Sequence, residues 1–297
     1  MMSLSTYLKP EILGKISNLE LKAKLVVEGF ITGLHKSPFH GFSVEFSQHR
    51  PYNPGDGLRF IDWKVYGRTD RFYIKQFEEE TNLKAYLLLD VSKSMTYGSN
   101  HTNKISYAKY LAATLAYLML LQRDAVGLAL FDNSLRRLLP PRSVVSYLQP
   151  LIGELDGLHT GADTNVGAVL HKLADQIKRR GLIILISDLL DTPDAIISGL
   201  RHFRYNGHEV LVFQILDPNE RRFNFQGDII FEDMETGESL RTQPWYIKKE
   251  YQRRIDNFIH ELQVNCRQNR VDYHLIETSE SLENALINYL TKRSRLI

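Results

Sequence analysis

The sequence predicts an α/β fold built on a doubly wound, mainly parallel sheet. From residue 84 onward, short apolar runs alternate with longer segments whose apolar residues recur at helical spacing. The apolar runs are nearly continuous, which is typical of strands that are covered on both faces. Helices of this length between strands imply right-handed crossovers and a mainly parallel sheet. With 297 residues, the chain is long enough to bury a large core.

The elements of this part of the chain follow a regular rhythm of strand and helix. Apolar runs predict strands at residues 84–90, 125–131, 135–140, 181–188, 208–216 and 271–277. Amphipathic patterns predict helices at residues 104–124, 143–155, 165–180, 194–207, 246–269 and 281–290. Residues 225–243 interrupt the rhythm, and the turn residues Glu235–Glu238 within them predict a small inserted hairpin.

The N-terminal third of the chain has a different pattern. Residues 4–32 carry apolar residues at helical spacing, which predicts a helix. The following residues mix turn signals such as Asn53–Asp56 with short alternating runs such as Arg71–Phe77, which predicts irregular β structure. We therefore expect an N-terminal segment over residues 1–80 that packs on a main α/β domain over residues 81–297.

Composition and charge exclude several classes of protein. Apolar residues make up 43% of the chain and charged residues 24%, as in an ordinary globular protein, and a net charge of +2 gives no strong attraction to nucleic acid or membrane. No apolar run reaches the length of a membrane-spanning helix, and charges interrupt the N-terminus, so we expect a cytoplasmic protein without a signal peptide. The single cysteine, Cys266, rules out an internal disulfide and is expected to be a structural thiol.

Hydroxyl and carboxylate side chains cluster where predicted strands end. Asp90, Ser92 and Ser94 follow the first strand of the main domain, at alternate positions that can point the same way. Thr164 precedes a helix, and Asp188 closes a later strand. Ligands of open parallel sheets bind beyond the carboxyl ends of the strands. Because the set offers only hard oxygen ligands, it predicts a site for one divalent cation, Mg²⁺ or Mn²⁺.

The same residues also have a purely structural interpretation. Serine and threonine cap helices, and an aspartate can simply end a strand. That interpretation is the better one for any single residue of the set. The three segments taken jointly, in this order on a β-α-β pattern, favour the metal site.

The segment "DVSKS" at residues 90–94 resembles the Asp-x-Ser-x-Ser signature of von Willebrand factor type A domains, whose fold is Rossmann-type. This resemblance implies a metal-ion-dependent adhesion site, with Ser92 and Ser94 as direct ligands and Thr164 as a direct or switchable one. It implies that Asp90 and Asp188 contact the ion mostly through water. The threonine loop departs from the family pattern, because it reads "GADTN" and Asp163 adds a charge there.

The segment "RPYNPGDGLRFIDWKVYGRTDRFYIKQFEEE" at residues 50–80 is followed by "LLLDVSKSM" at residues 87–95. In this combination the chain resembles the bacterial family known only as domain of unknown function 58. Members of that family join a motif rich in arginine and aspartate to a von Willebrand-like domain. The resemblance implies association with MoxR-type AAA+ ATPases. On the residues alone, we expect the motif segment to dock onto the sheet domain. The matching positions are Arg50, Tyr52, Gly55, Asp56, Ile61, Asp62, Trp63 and Arg68.

The sequence is compatible with functions of three different classes. The favoured one is a metal-ion-dependent protein-interaction module without enzymatic activity, which acts with a MoxR-type ATPase in a chaperone or assembly role. The alternative is a Mg²⁺-dependent hydrolase or phosphotransferase with Asp90 as nucleophile; it is weakened because Ser92 stands where such enzymes carry a second acid. Nucleic-acid binding through the basic residues Lys178–Arg180 and Tyr251–Asp256 is explained more simply by solvated helix faces.

Overall fold

The computed structural model describes residues 18–35, 49–51, 63–75, 83–99, 102–161, 165–225, 229–232 and 239–294. The strands are β1 (His49–Pro51), β2 (Tyr73–Lys75), β3 (Lys84–Asp90), β4 (Ala125–Phe131), β5 (Leu135–Arg142), β6 (Leu182–Ser187), β7 (Glu209–Leu216), β8 (Ile229–Glu232), β9 (Ser239–Thr242) and β10 (Asp272–Glu277). The helices are α1 (Leu19–His35), α2 (Trp63–Thr69), α3 (Lys104–Leu121), α4 (Leu148–Asp156), α5 (Val166–Gln176), α6 (Pro193–Tyr205), α7 (Pro218–Arg222), α8 (Pro244–Gln268) and α9 (Glu283–Arg293).

Six strands form one sheet in the order β10-β7-β6-β3-β4-β5. All neighbouring pairs are parallel except β4 and β5, which pair antiparallel at one edge. Strand β3 is central, and its residue Leu87 lies opposite Leu128 of β4 and Ile184 of β6. The predicted fold class, a doubly wound and mainly parallel α/β sheet, is therefore confirmed.

Two helical layers cover the sheet because its central strands are apolar on both faces. One core packs the sheet against α1, α3, α4 and α9, and the other packs it against α5, α6 and α8. Within β3 the side chains alternate between these cores, with Leu87 and Leu89 in the first and Leu88 in the second. This alternation is the period-two geometry of a strand.

Helix α3 is apolar around its whole circumference, and 14 of its 18 residues are buried. A helix of this kind needs partners on all sides. Helix α1 supplies one of them, since Ala23, Val26 and Phe30 are buried in the same core. Among the helices that the structure describes, none has both the length and the apolarity to cross a membrane.

Several elements differ from the predictions in detail. Residues 63–69 form helix α2 where irregular β structure was predicted, while β1 and β2 nearby pair as short antiparallel strands. Helix α5 ends at Gln176 rather than at residue 180 because Ile177 leaves the helical backbone region. The inserted hairpin is present as the antiparallel pair β8 and β9, and the short helix α7 before it was not predicted.

The division of the chain at residue 80 stays a prediction. Helix α1 contributes side chains to the main core, as the expected packing of the N-terminal segment requires. Most of the arginine- and aspartate-rich motif, including Tyr52, Asp56 and Asp62, lies outside the described residues. Arg68 is described and is exposed on α2. The docking of this motif segment is therefore untested.

Candidate metal site at the carboxyl edge of the sheet

The candidate metal site lies at the carboxyl ends of β3 and β6. These strands are parallel neighbours, but the helices that follow them, α3 and α6, lie in opposite layers. The connections therefore leave the sheet in opposite directions, which is the arrangement that creates ligand sites in open α/β sheets. Asp90 is the last residue of β3, and Asp188 directly follows β6.

Asp90 is fully buried, and both of its carboxylate oxygens accept hydrogen bonds. The Ser92 amide donates to Oδ1 at 2.9 Å, and the Ser187 hydroxyl donates to Oδ2 at 2.6 Å. Burial, followed by the negative charge of Asp188, raises the pKa of Asp90 to about 7, although these hydrogen bonds act in the opposite direction. Positive charge at this place would stabilise the ionised carboxylate.

The two serines of the motif are brought together by a short 3₁₀ turn over Lys93–Thr96, which is anchored by the buried side chain of Met95. The hydroxyl oxygens of Ser92 and Ser94 lie 3.0 Å apart. Adjacent ligands at about 2.1 Å from an octahedral Mg²⁺ are separated by roughly the same distance, about 3.0 Å. The spacing therefore fits two neighbouring ligands of one small cation as well as it fits a hydrogen bond.

Asp188 is paired with a buried lysine that the sequence analysis did not identify. The ammonium group of Lys104, which is fully buried, lies 2.8 Å from Oδ2 of Asp188 and 2.6 Å from Oε1 of Glu220. Burial alone would lower the pKa of Lys104, but the two carboxylates raise it above its ordinary value. The lysine begins α3, where the helix dipole disfavours a positive charge, so these carboxylates also offset that cost.

The segment after β6 is fixed by further hydrogen bonds. The Gln214 side-chain amide donates to the Asp188 carbonyl at 2.7 Å, and Tyr273 in turn donates to Gln214. The Leu189 backbone takes a left-handed conformation, with φ of 55°, and its amide donates to the Ser187 hydroxyl at 2.9 Å. The Asp188 carboxylate is thereby held in place from its own backbone as well as by Lys104.

Thr164 lies outside the described residues, so its role as a ligand stays a prediction. The residues on either side of its loop are attached to the edge of the sheet that carries Asp90 and Asp188. The Gly161 amide donates to the Val91 carbonyl at 2.9 Å. The Val166 amide donates to Oδ2 of Asp191 at the same distance.

The chemistry of the donors fits a hard divalent cation. Ser92 and Ser94 would hold it directly, and Asp90 and Asp188 would supply negative charge behind them. In the part of the chain that is described, no group of three or more histidine, cysteine, aspartate or glutamate side chains could hold a metal. The proposed site is not a group of that kind, because it has only two carboxylates and takes its other two oxygen ligands from serine hydroxyls. Because Lys104 neutralises part of the local negative charge, we expect affinity for the cation to be weak.

Comparison with known proteins identifies the family. The family model described as "Protein of unknown function DUF58" matches residues 48–258. The uncharacterized protein Rv1480 of Mycobacterium tuberculosis is 26% identical over 233 residues, which are 77% of this chain and 72% of that protein. Two solved structures are similar at low identity. BatB from Bacteroides thetaiotaomicron has 15% identity and a TM-score of 0.48, with 72% of this chain and 100% of that chain covered. The VWA domain of SpRpn10 has 13% identity and a TM-score of 0.42, with 70% and 95% covered. The match of the family model over most of the sequence confirms the second resemblance, and this chain belongs to the DUF58 family of proteins of unknown function.

Proposed function

We propose that this protein is a cation-dependent protein-interaction module that binds an acidic side chain of a partner at the carboxyl edge of its sheet. The observation that carries the proposal is the pair of hydroxyl oxygens of Ser92 and Ser94, 3.0 Å apart, beside Asp90. A Mg²⁺ or Mn²⁺ ion held there would supply positive charge to a carboxylate from outside. Ser94 is partly exposed, so a partner can reach this side of the site.

The surroundings of Asp90 favour binding over chemistry. A nucleophilic carboxylate must reach its substrate, whereas Asp90 is fully buried and both of its oxygens accept hydrogen bonds. Ser92 occupies the position where a general acid would be needed, and a serine hydroxyl does not serve as an acid near neutral pH. We therefore propose that no turnover takes place at the ion.

The partner that we propose is a MoxR-type AAA+ ATPase, and this part of the proposal depends on the family resemblance alone. The chain has no Gly-x-x-x-x-Gly-Lys-Ser/Thr loop of its own to bind a nucleotide phosphate. An ATPase that binds the module would supply that activity. A role in the assembly or remodelling of other proteins follows from such a pairing.

The test combines calorimetry with a binding assay. Purified protein is titrated with Mg²⁺ and Mn²⁺, and its binding to a purified MoxR-type ATPase is then measured with the cation and with a chelator. Ser92→Ala combined with Ser94→Ala should abolish cation binding and reduce ATPase binding to the level seen in chelator. The matched control is Thr96→Val in the same 3₁₀ turn, because the Thr96 hydroxyl donates to the Lys93 carbonyl at 2.7 Å and is not one of the proposed ligands.

Two outcomes would overturn the proposal. Cation binding that survives in the double serine variant would remove the assigned site. Mg²⁺-dependent hydrolysis of phosphoesters that Asp90→Asn abolishes would establish the alternative, a hydrolase or phosphotransferase. Circular dichroism of each variant shows whether its fold is intact.

A further inference from the structure

A second polar site lies at the opposite end of the molecule. A cleft of about 650 Å³ opens between α5, α6 and the end of α8. Helix α6 leads into the beginning of β7, and α8 leads into the beginning of β10, so the ends of these helices lie at the amino edge of the sheet. We name this the basic cleft, and define it by His171, Ser198, Arg201, His202, Gln268 and Arg270.

Two guanidinium groups in the basic cleft have no carboxylate partner among the residues that the structure describes. Across the described residues, the side chains of Arg201 and Arg270 make no ion pair or hydrogen bond, and no carboxylate lines the cleft. Arg204, which also lines it, pairs with Glu209 at 2.6 Å. The side chain of Asp175 is 72% exposed and lies 3.5 Å from Nε2 of His202. The cleft therefore has uncompensated positive charge.

Another cleft on the same molecule provides a contrast. It is lined by Arg221 and Arg222 together with two carboxylates. Arg221 pairs with Asp256, and Arg222 pairs with Glu277 at 2.7 Å. The charges of that cleft are neutralised within the chain, whereas those of the basic cleft are left for a ligand.

One wall of the basic cleft is held by a chain of hydrogen bonds between α5 and α6. The Nδ1 atoms of His171 and His202 lie 3.1 Å apart, and Nε2 of His171 lies 3.2 Å from the Ser198 hydroxyl. These contacts fix the side chains in relation to each other before any ligand arrives. A fixed wall lowers the entropic cost of binding.

The backbone at Arg270 supplies an independent observation. This residue follows the end of α8 with φ of 55°, a left-handed conformation that glycine adopts without cost. A residue with a side chain loses about 1 kcal/mol there. The sequence nevertheless places an arginine at this position, and its side chain lines the basic cleft. Arg123 and Phe223 take the same conformation just after α3 and α7, so this backbone is one way in which helices of this chain end, and at α8 it is occupied by a residue that lines the cleft.

We infer that the basic cleft binds a phosphate monoester. Arginine forks match phosphate oxygens in pairs, and Arg201 and Arg270 offer two such forks. The Ser198 hydroxyl and the Gln268 amide add neutral donors on the same walls. The volume exceeds that of a phosphate group alone, so there is room for the group that the phosphate is attached to.

The test uses O-phospho-L-serine and inorganic phosphate as probes, with calorimetry for affinity and NMR for the imidazole resonances of His171 and His202. O-phospho-L-serine should bind with one-to-one stoichiometry and shift both imidazoles. Arg201→Gln combined with Arg270→Gln should weaken binding at least tenfold. The control is Arg267→Gln, an exposed arginine one turn before Arg270 that does not line the cleft.

The possible outcomes separate this inference from its alternatives. Binding of inorganic phosphate with the same affinity would identify free phosphate as the ligand and support the site. Absence of binding by either probe would overturn the inference. A single-stranded oligonucleotide that binds more tightly than O-phospho-L-serine, and is weakened equally by Arg267→Gln, would replace it with a general nucleic-acid surface. Because the basic cleft shares no residue with the candidate metal site, the double serine variant should bind the phosphate probes normally.

Discussion

The two ends of the sheet differ in whether their positively charged side chains have carboxylate partners. At the carboxyl edge, the Lys104 ammonium is enclosed between the carboxylates of Asp188 and Glu220. At the amino edge, Arg201 and Arg270 face a cleft whose described lining contains no carboxylate. In the first region the positive charge is paired with carboxylates of the fold itself, and in the second the two guanidinium groups have no carboxylate partner among the described residues.

This difference separates positive charge that stabilises the protein from positive charge that is available to a ligand. Lys104 connects Asp188, beside β6, with Glu220 of α7, and the Tyr251 hydroxyl of α8 donates to the Glu220 carbonyl at 2.8 Å. The carboxyl edge is therefore one connected polar network, and loss of one member leaves the others buried without partners. Among the described residues, no buried side chain relies on Arg201 or Arg270 as a partner.

The largest effect is expected for Lys104→Met. Removal of the ammonium leaves the carboxylate of Asp188, only 2% exposed, without its partner. Breaking a buried ion pair from one side costs about 3–5 kcal/mol, so the free energy of unfolding should fall by that amount. Chemical denaturation followed by circular dichroism measures it.

A second variant controls for the loss of the lysine side chain itself. Lys104→Met combined with Asp188→Asn and Glu220→Gln removes the uncompensated charges and should regain part of the lost stability. If the triple variant is as unstable as Lys104→Met, packing rather than charge is responsible for the loss. The positive charge of Lys104 would then not be what stabilises the carboxyl edge, and this difference from the basic cleft would be lost.

Cys266 tests whether the end of α8, which carries Arg270 to the basic cleft, is rigid in the native protein. This thiol lies one turn before Arg270, is 1% exposed, and its pKa is raised by burial to about 12. Relative to an ordinary thiol of pKa 9.0, its thiolate population is lower on the order of a thousandfold near neutral pH. Iodoacetamide should leave the native protein unmodified and label it in denaturant. Rapid labelling of the native protein would indicate that this end of the helix opens locally.

The strands of the sheet could be predicted from the sequence because each one is an apolar run of consecutive residues. The apolar run at residues 84–90 matches β3 in both bounds, and the runs at 125–131 and 271–277 match β4 and β10 to within one residue. The convergence of Asp90, Ser92 and Asp188 followed from the rule that parallel strands end at one edge. Their role as ligands, and that of Thr164, is still a prediction.

The features that sequence analysis missed depend on contacts between distant positions. Lys104 is 84 residues from Asp188 and 116 from Glu220, so no local spacing connects the three. A lysine in the first turn of an apolar helix was the available signal, because the helix dipole disfavours it there. The basic cleft was missed for the same reason, since its arginines come from α6 and from the end of α8.

Arg270→Gly should have a smaller effect, in the direction of greater stability. The change removes a side chain from a left-handed backbone position, where it costs about 1 kcal/mol, and breaks no ion pair with any described residue. The free energy of unfolding should rise by up to that amount while affinity for O-phospho-L-serine falls. A loss of stability would mean that Arg270 supports the fold as Lys104 does. The proposed difference between the two residues would then be wrong.

The smallest effect is expected for Glu250→Gln on the exposed face of α8, which compares a surface ion pair with the buried pairs of Lys104. Hydrogen bonds from Arg253 and then Arg254 lower the pKa of Glu250 to about 2. A carboxylate with a lowered pKa contributes stability above its unfolded pKa, near 4.5, and loses it as the pH falls toward 2. Because all three side chains are exposed, solvent screens the attraction, and we expect the same denaturation midpoint as the wild type from pH 7 to pH 3. A difference that is present at pH 7 and disappears on acidification would show that this exposed network stabilises the protein in the same way as the buried one.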